Sequence, residues 1–545
     1  MRSSYAEKAN CCRDESGEQL KGPRFTVPGF TFSHQKAYIV TAMKDQKAPE
    51  VSLELSEAEQ RFDFWRKNLG MILGPLLFLL ILAFTPDGLG PGQRRTLAVV
   101  VWILVWWVTE AVPLPVSALL GPALLVLLGV DTPAALFAPF ADPVIFLFLG
   151  SFVLAEATVV SGLDRRLALS VLTLRGVTAS PTRVVGVVGI LTAGLSMWLS
   201  NTATAAMIYP LALAIARSLE GKARSRSPFA LALLLTTAYA ASIGGIATPV
   251  GTPPNLIAMG QLSQLAGMHL SFFQWMALGV PVSALMLAFC VFHLGRKAGK
   301  GQILATTGLR EELSKLGPLS PRERNVLFAF LLAVFFWLLP GALGIFLGES
   351  HPWAQQATRM LPEGVVAVLA ACLLFVLPVR LSKLEFTLTW RQAVDIDWGT
   401  LLLFGGGLSL GTQLFKQGLA AAAGKALVGW TGASSTLSLA YLFAFVALVL
   451  TETTSNTAAA TVVCPLAIAA AEAAGVSPVP PTVAAAVAAS LAFMLPVSTP
   501  PNAIVYGSGL IRVTHMLRHG TILDLLGLLT IPPLVVLLCS ALGLS

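Results

Sequence analysis

Charge is what this sequence lacks. Of 545 residues only 12% are Asp, Glu, Lys or Arg, where a soluble domain carries about 25%. A water-soluble enzyme of this length is therefore excluded. Cysteine and histidine are scarce too, six of each, and their placement is uninformative for chemistry. Cys11 and Cys12 adjoin in a polar N-terminal segment, while Cys290, Cys372, Cys464 and Cys539 lie in apolar runs. No CxxC pair, Cys/His ligand spacing or HExxH occurs, so neither a disulfide framework nor a zinc site is indicated. The nearest approach to a phosphate loop, Gly418 to Lys425, has five residues between its glycines and Ala426 after the lysine. A Walker A loop needs four and a Ser or Thr. An ATP-driven pump thus has no support, and no catalytic dyad, metal cluster or organic-cofactor motif supports an enzyme.

What the chain has is apolar length. Hydrophobic residues make up 55% of it, which identifies an all-α polytopic membrane protein. Segments long enough for a bilayer, about 20 residues, fall near 69–85, 96–111, 113–130, 143–161, 228–258, 275–294, 325–347, 362–379, 397–414, 480–509 and 521–543. Two further stretches, 184–216 and 437–472, are too long for one span and have polar centres. Each reads as a re-entrant helical hairpin, because irregular backbone at that depth is tolerated where protein or water satisfies it. Residues 1–67 read as a disordered cytoplasmic tail with an amphipathic stretch at Phe62–Trp65.

The basic residues orient this layout. With eleven spans and two hairpins, 31 Lys and Arg fall on one side, five on the other, and none within the core. Positive charge accumulates on the cytoplasmic side, so the N-terminus is expected inside and the C-terminus outside. The formal net charge of +8 belongs to a membrane surface, not to nucleic acid.

The chain also repeats itself. Ser200-Asn201-Thr202-Ala203 recurs 255 residues later as Ser455-Asn456-Thr457-Ala458, and at the same offset Asp142 matches Asp397 and Gly150 matches Gly405. Pro249-Val250-Gly251-Thr252-Pro253-Pro254-Asn255 recurs as Pro496-Val497-Ser498-Thr499-Pro500-Pro501-Asn502. The expected domains are a first repeat over 68–294, a cytoplasmic linker over 295–324 and a second repeat over 325–545. Five spans and one hairpin separate equivalent points, so the second copy is inverted, a common construction of secondary transporters with a site at the midplane. Consecutive prolines block helical continuation, so 228–258 and 480–509 read as broken helices. A single Ser-Asn-Thr in an apolar helix is most often a helix-packing patch; two copies in register are not explained that way. Glu110, Glu156 and Glu452 stand in or near spans, where acids are costly and often functional. Glu452 reads as a hydrogen-bonding partner of hairpin backbone, with a proton relay as the alternative. Trp102, Trp106 and Trp107 read as packing, and Gly405-Gly406-Gly407 as a close helix contact.

At the paired Ser-Asn-Thr and Thr-Pro-Pro-Asn motifs the chain resembles the divalent anion/sodium symporter family of dicarboxylate, citrate and sulfate transporters. Thr109-Glu110-Ala111 followed by Pro113 matches that family's early helix, and the likeness covers roughly 69–543. The resemblance implies a homodimer whose scaffold domain carries an elevator-type transport domain. It implies that Asn201, Thr202, Asn456 and Thr457 bind the substrate carboxylates, with Thr499 and Pro500 lining the pocket. One sodium site would use Ser196, Ser200, Asn201 and Gly251, the other Thr451, Thr454, Asn456 and Ser498.

Electrostatics leads to the same expectation. A dianion in low dielectric needs compensation, and no basic side chain is expected at that depth. Helix N-terminal dipoles, amide and hydroxyl donors, and sodium bound before substrate would supply it. The expected function is sodium-coupled symport of a C4-dicarboxylate such as succinate, malate or fumarate across the plasma membrane. A sodium-independent dicarboxylate exchanger of the same fold, or citrate or sulfate as substrate, is the alternative.

Overall fold

A computed structural model describes residues 57–84, 89–220, 227–299, 306–348 and 350–544. The first half comprises α1 (Glu57–Phe84), α2 (Pro91–Thr109), α3 (Leu114–Leu127), α4 (Pro133–Phe137), α5 (Pro143–Ser161), α6 (Leu163–Leu172), α7 (Pro181–Ser196), α8 (Asn201–Glu220), α9 (Pro228–Gly245), α10 (Pro253–Ala266) and α11 (Phe272–Gly295). A short α12 (Thr306–Lys315) precedes α13 (Pro321–Leu347), α14 (Pro352–Met360), α15 (Glu363–Val376), α16 (Trp390–Ala393), α17 (Trp398–Lys416), α18 (Leu419–Thr431), α19 (Thr436–Thr453), α20 (Asn456–Ala474), α21 (Val479–Ala488), α22 (Pro500–Tyr506) and α23 (Val513–Ala541). Many of these helices open on proline, whose fixed φ and missing N–H suit the first helical position. Ser180, Ser227 and Ser320 cap α7, α9 and α13 by accepting from the N–H three residues on.

Helices α5 to α11 match α17 to α23 one for one. Their starts are offset by 255 residues at Pro143 and Trp398, and by 247 at Pro253 and Pro500. The offset shrinks between the two motifs, where the connection before α21 is shorter than that before α9 and α21 itself is shorter than α9. The halves interlock: α22 packs on α8 and α9, and α10 packs on α20 and α21. Each broken helix therefore crosses into the other half.

Burial sorts the helices by role. Apart from Pro228 and Leu231 every residue of α9 is buried, and so is all of α21; helices apolar on every side belong in a protein interior. By contrast α1 and α13 leave most of their apolar surface outside the core, as lipid-facing helices do. Trp106 donates to the Gly70 carbonyl and Trp107 to Ser117, fastening α2 to α1 and α3. A Cβ on Gly406 would lie 2.4 Å from the Ala118 carbonyl oxygen, so the glycine run does serve close packing of α17 on α3.

Eight described helices are long and apolar enough to cross a membrane, nine if the bent pair α14–α15 counts as one, and two of the eight, α19 and α20, are the arms of the second expected hairpin. Three expectations need correcting. Residues 1–56 lie outside the described residues, but 57–67 are helical and continuous with the first span. The connections over 162–183 and 415–436 carry α6 and α18, each of which buries one apolar edge. A two-stranded antiparallel ribbon, Pro378–Arg380 with Glu385–Phe386, sits where only a loop is expected. The linker is partly ordered as well: Arg166 on α6 donates to the Leu316 and Gly317 carbonyls and pairs with Glu323 at 2.7 Å.

Candidate functional site

Both Ser-Asn-Thr motifs stand where one helix stops and the next begins. Asn201 is the first residue of α8 and Asn456 the first of α20. Ser200 and Ser455 cap these helices, accepting from the Ala203 and Ala458 N–H groups at 3.2 Å in both cases. Each helix thus presents its free N–H groups and positive dipole end at its own tip, where an anion is favoured. Thr202 and Thr457 follow one residue in, both half-buried.

Behind each tip the same triad of oxygens recurs. The Ser196 hydroxyl is shared between Asn201 Oδ1 at 2.8 Å and the Ala241 carbonyl oxygen at 2.6 Å. The Thr451 hydroxyl is shared between Asn456 Oδ1 at 2.7 Å and the Ala489 carbonyl oxygen at 2.6 Å. A hydroxyl has one hydrogen to offer, so three oxygens converge on a single proton. Such a cluster is deficient in positive charge. Carbonyls at the C-terminal ends of half-helices coordinate sodium in broken-helix transporters; Ala489 caps the C-terminal end of α21, and Ala241 lies four residues before the end of α9.

The helix breaks are held by the last residue of the Thr-Pro-Pro-Asn motif. Asn255 Nδ2 donates to the Gly245 and Thr248 carbonyls at 2.8 and 2.7 Å. Asn502 Nδ2 donates to the equivalent Ala492 and Leu495 carbonyls at 2.9 and 3.0 Å. Both amide oxygens are buried and meet no donor. The role of this asparagine was missed from sequence, although its duplication was the available signal. Thr252 and Thr499 precede the prolines; Thr499 accepts from the Asn502 N–H and caps α22, and Pro500 beside it is exposed.

The halves then diverge. In the first, Gly245 and Gly251 close on each other, and a Cβ on Gly245 would lie 2.5 Å from Asn201 Oδ1. This brings Ser196, Asn201 and Gly251 together as expected. In the second, Ala492 and Ser498 replace these glycines. Ser498 Oγ is shared between the Glu452 carbonyl and Glu452 Oε2, both at 2.8 Å. Glu452 Oε1 accepts from the Phe493 and Met494 N–H groups at 2.9 and 3.0 Å. The acid thus bonds backbone, but that of the second break rather than its own hairpin. Thr454, expected among the sodium ligands, gives its hydroxyl to the Leu450 carbonyl at 2.8 Å. A sodium ligand there would have to be its other oxygen lone pair or its backbone.

Asp524 of α23 also faces Glu452. It is 1% exposed, and the Glu452 carboxyl and the Phe493 backbone N–H are its polar neighbours. Sequence reading passed it over because it lies in neither motif. The expectation that no basic side chain approaches the tips fails in the second half. Arg66 of α1 donates to the Thr453 carbonyl at 2.6 Å and to Glu110 at 2.9 Å. Glu156 remains half-buried in α5, away from these contacts. Among the described residues no cluster of three His, Cys, Asp or Glu could hold a metal.

Residues 66–543 match the family model described as the sodium:sulfate symporter transmembrane region. The chain belongs to this divalent anion/sodium symporter family. It is 38% identical over 474 residues to the sodium-dependent dicarboxylate transporter SdcS of Staphylococcus saprophyticus, covering 85% of this chain and 89% of the relative. To SdcS of Staphylococcus aureus strain USA300 it is 36% identical over 475 residues, with the same coverage of both chains. Among solved structures, the YdaH transporter of Alcanivorax borkumensis is similar at a TM-score of 0.50 and 15% identity, covering 88% of this chain and 98% of that one. MtrF of Neisseria gonorrhoeae is similar at 0.52 and 12% identity, covering 87% and 96%. At such identities these two show a shared fold alone. The fold of this chain is that of a helical membrane transporter.

Proposed function

We propose that the protein couples inward sodium movement to uptake of a C4-dicarboxylate such as succinate, malate or fumarate across the cell membrane. The carrying observation is the twin oxygen triad, Ser196–Asn201–Ala241 and Thr451–Asn456–Ala489, with one proton among three oxygens in each. Sodium at each triad supplies the missing positive charge. It does so directly behind helix N-termini that present amide and hydroxyl groups to an anion. Asn201, Thr202, Asn456 and Thr457 then receive the two carboxylates, with Thr499 and Pro500 at the wall. Without sodium the anion site is electrostatically incomplete, so sodium binds first.

The names of the SdcS relatives favour a dicarboxylate over sulfate, and two tips suit two carboxylates. In this reading the N-terminus is cytoplasmic, the C-terminus external, 184–216 and 437–472 are re-entrant, and the unit is a homodimer. Uptake of labelled succinate into proteoliposomes, with sodium replaced by choline, is the test. Symport predicts that uptake collapses in choline. Undiminished uptake against internal malate would instead establish sodium-independent exchange, and uptake of sulfate with none of succinate would overturn the substrate class.

A further inference from the structure

The two tips are anchored by different means, at equivalent positions. Trp198 and Thr453 correspond across the 255-residue offset. At the first tip the Trp198 ring packs on Phe272 of α11 and Phe330 of α13, with ring centroids 6.3 and 5.4 Å apart. At the second no aromatic stands there. Instead the guanidinium of Arg66 donates to the Thr453 carbonyl at 2.6 Å, at the C-terminal end of α19. Cationic groups are favourable at a helix C-terminus, where unpaired carbonyls concentrate negative potential.

Arg66 is itself held in place. Its other arm pairs with Asp63 at 2.8 Å and with Glu110 at 2.9 Å. Glu110 caps α2 with φ +50°, a left-handed conformation that a non-glycine residue adopts only under local constraint. The Arg66 side chain is 16% exposed, and its partners Asp63 and Glu110 are 35% and 30% exposed. At the 255-residue offset Arg66 falls on Pro321, so this anchor has no equivalent side chain in the second half.

We propose that Arg66 is a positioning residue for the second tip: by gripping the Thr453 carbonyl from a Glu110-braced fork, it holds Thr451 to Asn456 in the geometry that binds sodium. The last turn of α19 carries Thr451, whose hydroxyl shares its proton with Asn456, and Glu452, which fixes Ser498. Loosening Thr453 therefore loosens one sodium cluster and leaves the other alone. The link to sodium rests on the symport reading; the grip on the tip does not.

Hydrogen exchange of the full-length protein in detergent separates the two. In Arg66→Ala, exchange over 450–458 should quicken several-fold while 195–203 is unchanged. Arg66→Lys, which keeps a cation at the carbonyl but loses the planar fork, should fall between. In proteoliposomes Arg66→Ala should raise the sodium concentration for half-maximal succinate uptake several-fold with little change in maximal rate. Should Arg66→Ala not insert, Arg66→Lys and Glu110→Gln provide the same exchange readout. Unchanged exchange at the second tip, or equal loosening of both, overturns the proposal. Loosening confined to the second tip in a protein that shows no sodium-dependent uptake would sustain the positioning role and refute only the symport reading.

Discussion

Ser498 meets Glu452 twice, sharing one hydroxyl proton between that residue's carbonyl and carboxylate at 2.8 Å each. Nothing like it exists in the first half, where Gly251 and Met197 hold the equivalent positions. The two halves are thus alike in backbone and unlike in their ionisable groups. The second cluster has a buried carboxylate beside it, and the first does not.

Glu452→Gln tests that difference. Hydrogen bonds to a charged group contribute about 1.5–3 kcal/mol each, and Gln keeps the shape while removing the charge. Sodium-induced thermal stabilisation should need at least about tenfold more sodium, which corresponds to about 1.4 kcal/mol. An unaltered sodium titration would show that the carboxylate contributes nothing to cation binding.

Asp524→Asn should act in the opposite direction on stability. Two carboxyl groups facing each other in a buried space must share a proton or repel, and an unsatisfied buried polar group costs about 1–3 kcal/mol. The amide of Asn supplies a donor for Glu452. A higher melting temperature in detergent is expected, and a lower one would mean that the Asp524 oxygens find a donor of their own.

Thr451→Val removes the hydroxyl shared by Asn456 and Ala489 and leaves both acceptors buried. Sodium affinity should fall by tenfold or more, at a cost of about 1–3 kcal/mol, whereas Thr451→Ser should retain most of it. Ser196→Ala should mirror this in the first half. Equal sodium affinity in Thr451→Val and Thr451→Ser would remove the hydroxyl from the ligand set.

Gly245→Ala should abolish uptake while the protein still inserts. Its Cβ would press within 2.5 Å of Asn201 Oδ1, closer than real contacts allow, and within a tight 3.1 Å of the Gly251 carbonyl oxygen. Ala492→Gly at the matching position should be tolerated, because the second break already accommodates a Cβ. Uptake assays with surface-expression controls decide between them.

Stability should also report on Asp164, at the start of α6 outside the spans. Burial pushes its carboxyl up to about 6, against about 3.9 in an unfolded chain. The fold therefore favours the protonated form. That contribution is fully present below about pH 4, is lost as pH rises to about 6, and stays lost above. Asp164→Asn keeps an oxygen for the Arg165 N–H, now bonded at 2.7 Å, and never ionises. Its melting temperature should match wild type below pH 4 and exceed it above pH 6. A constant difference across that range would rule out ionisation as the cause.

Much of the molecule is legible from local pattern. Apolar run length, the Pro-Pro breaks and the duplicated tripeptides mark both tips and both breaks to within a few residues, because each depends on nearest neighbours along the chain. α6 and α18 escaped because short amphipathic helices resemble polar connections when only hydropathy is read. Asn255 and Asn502 were in view as motif letters, yet their work as staples depends on which carbonyls the break exposes.

The sequence by itself determined a helical membrane protein made of two related halves, with Ser-Asn-Thr at helix starts and prolines where helices must stop. Only the tertiary structure decided that Glu452 and Asp524 face each other, that Arg66 reaches Thr453 across 387 residues of chain, and that the second cluster has buried carboxyl groups beside it where the first has none. The physical reason is range. Helix starts and stops are set within a turn or two, whereas a buried charge takes its meaning from whichever distant group the fold places against it.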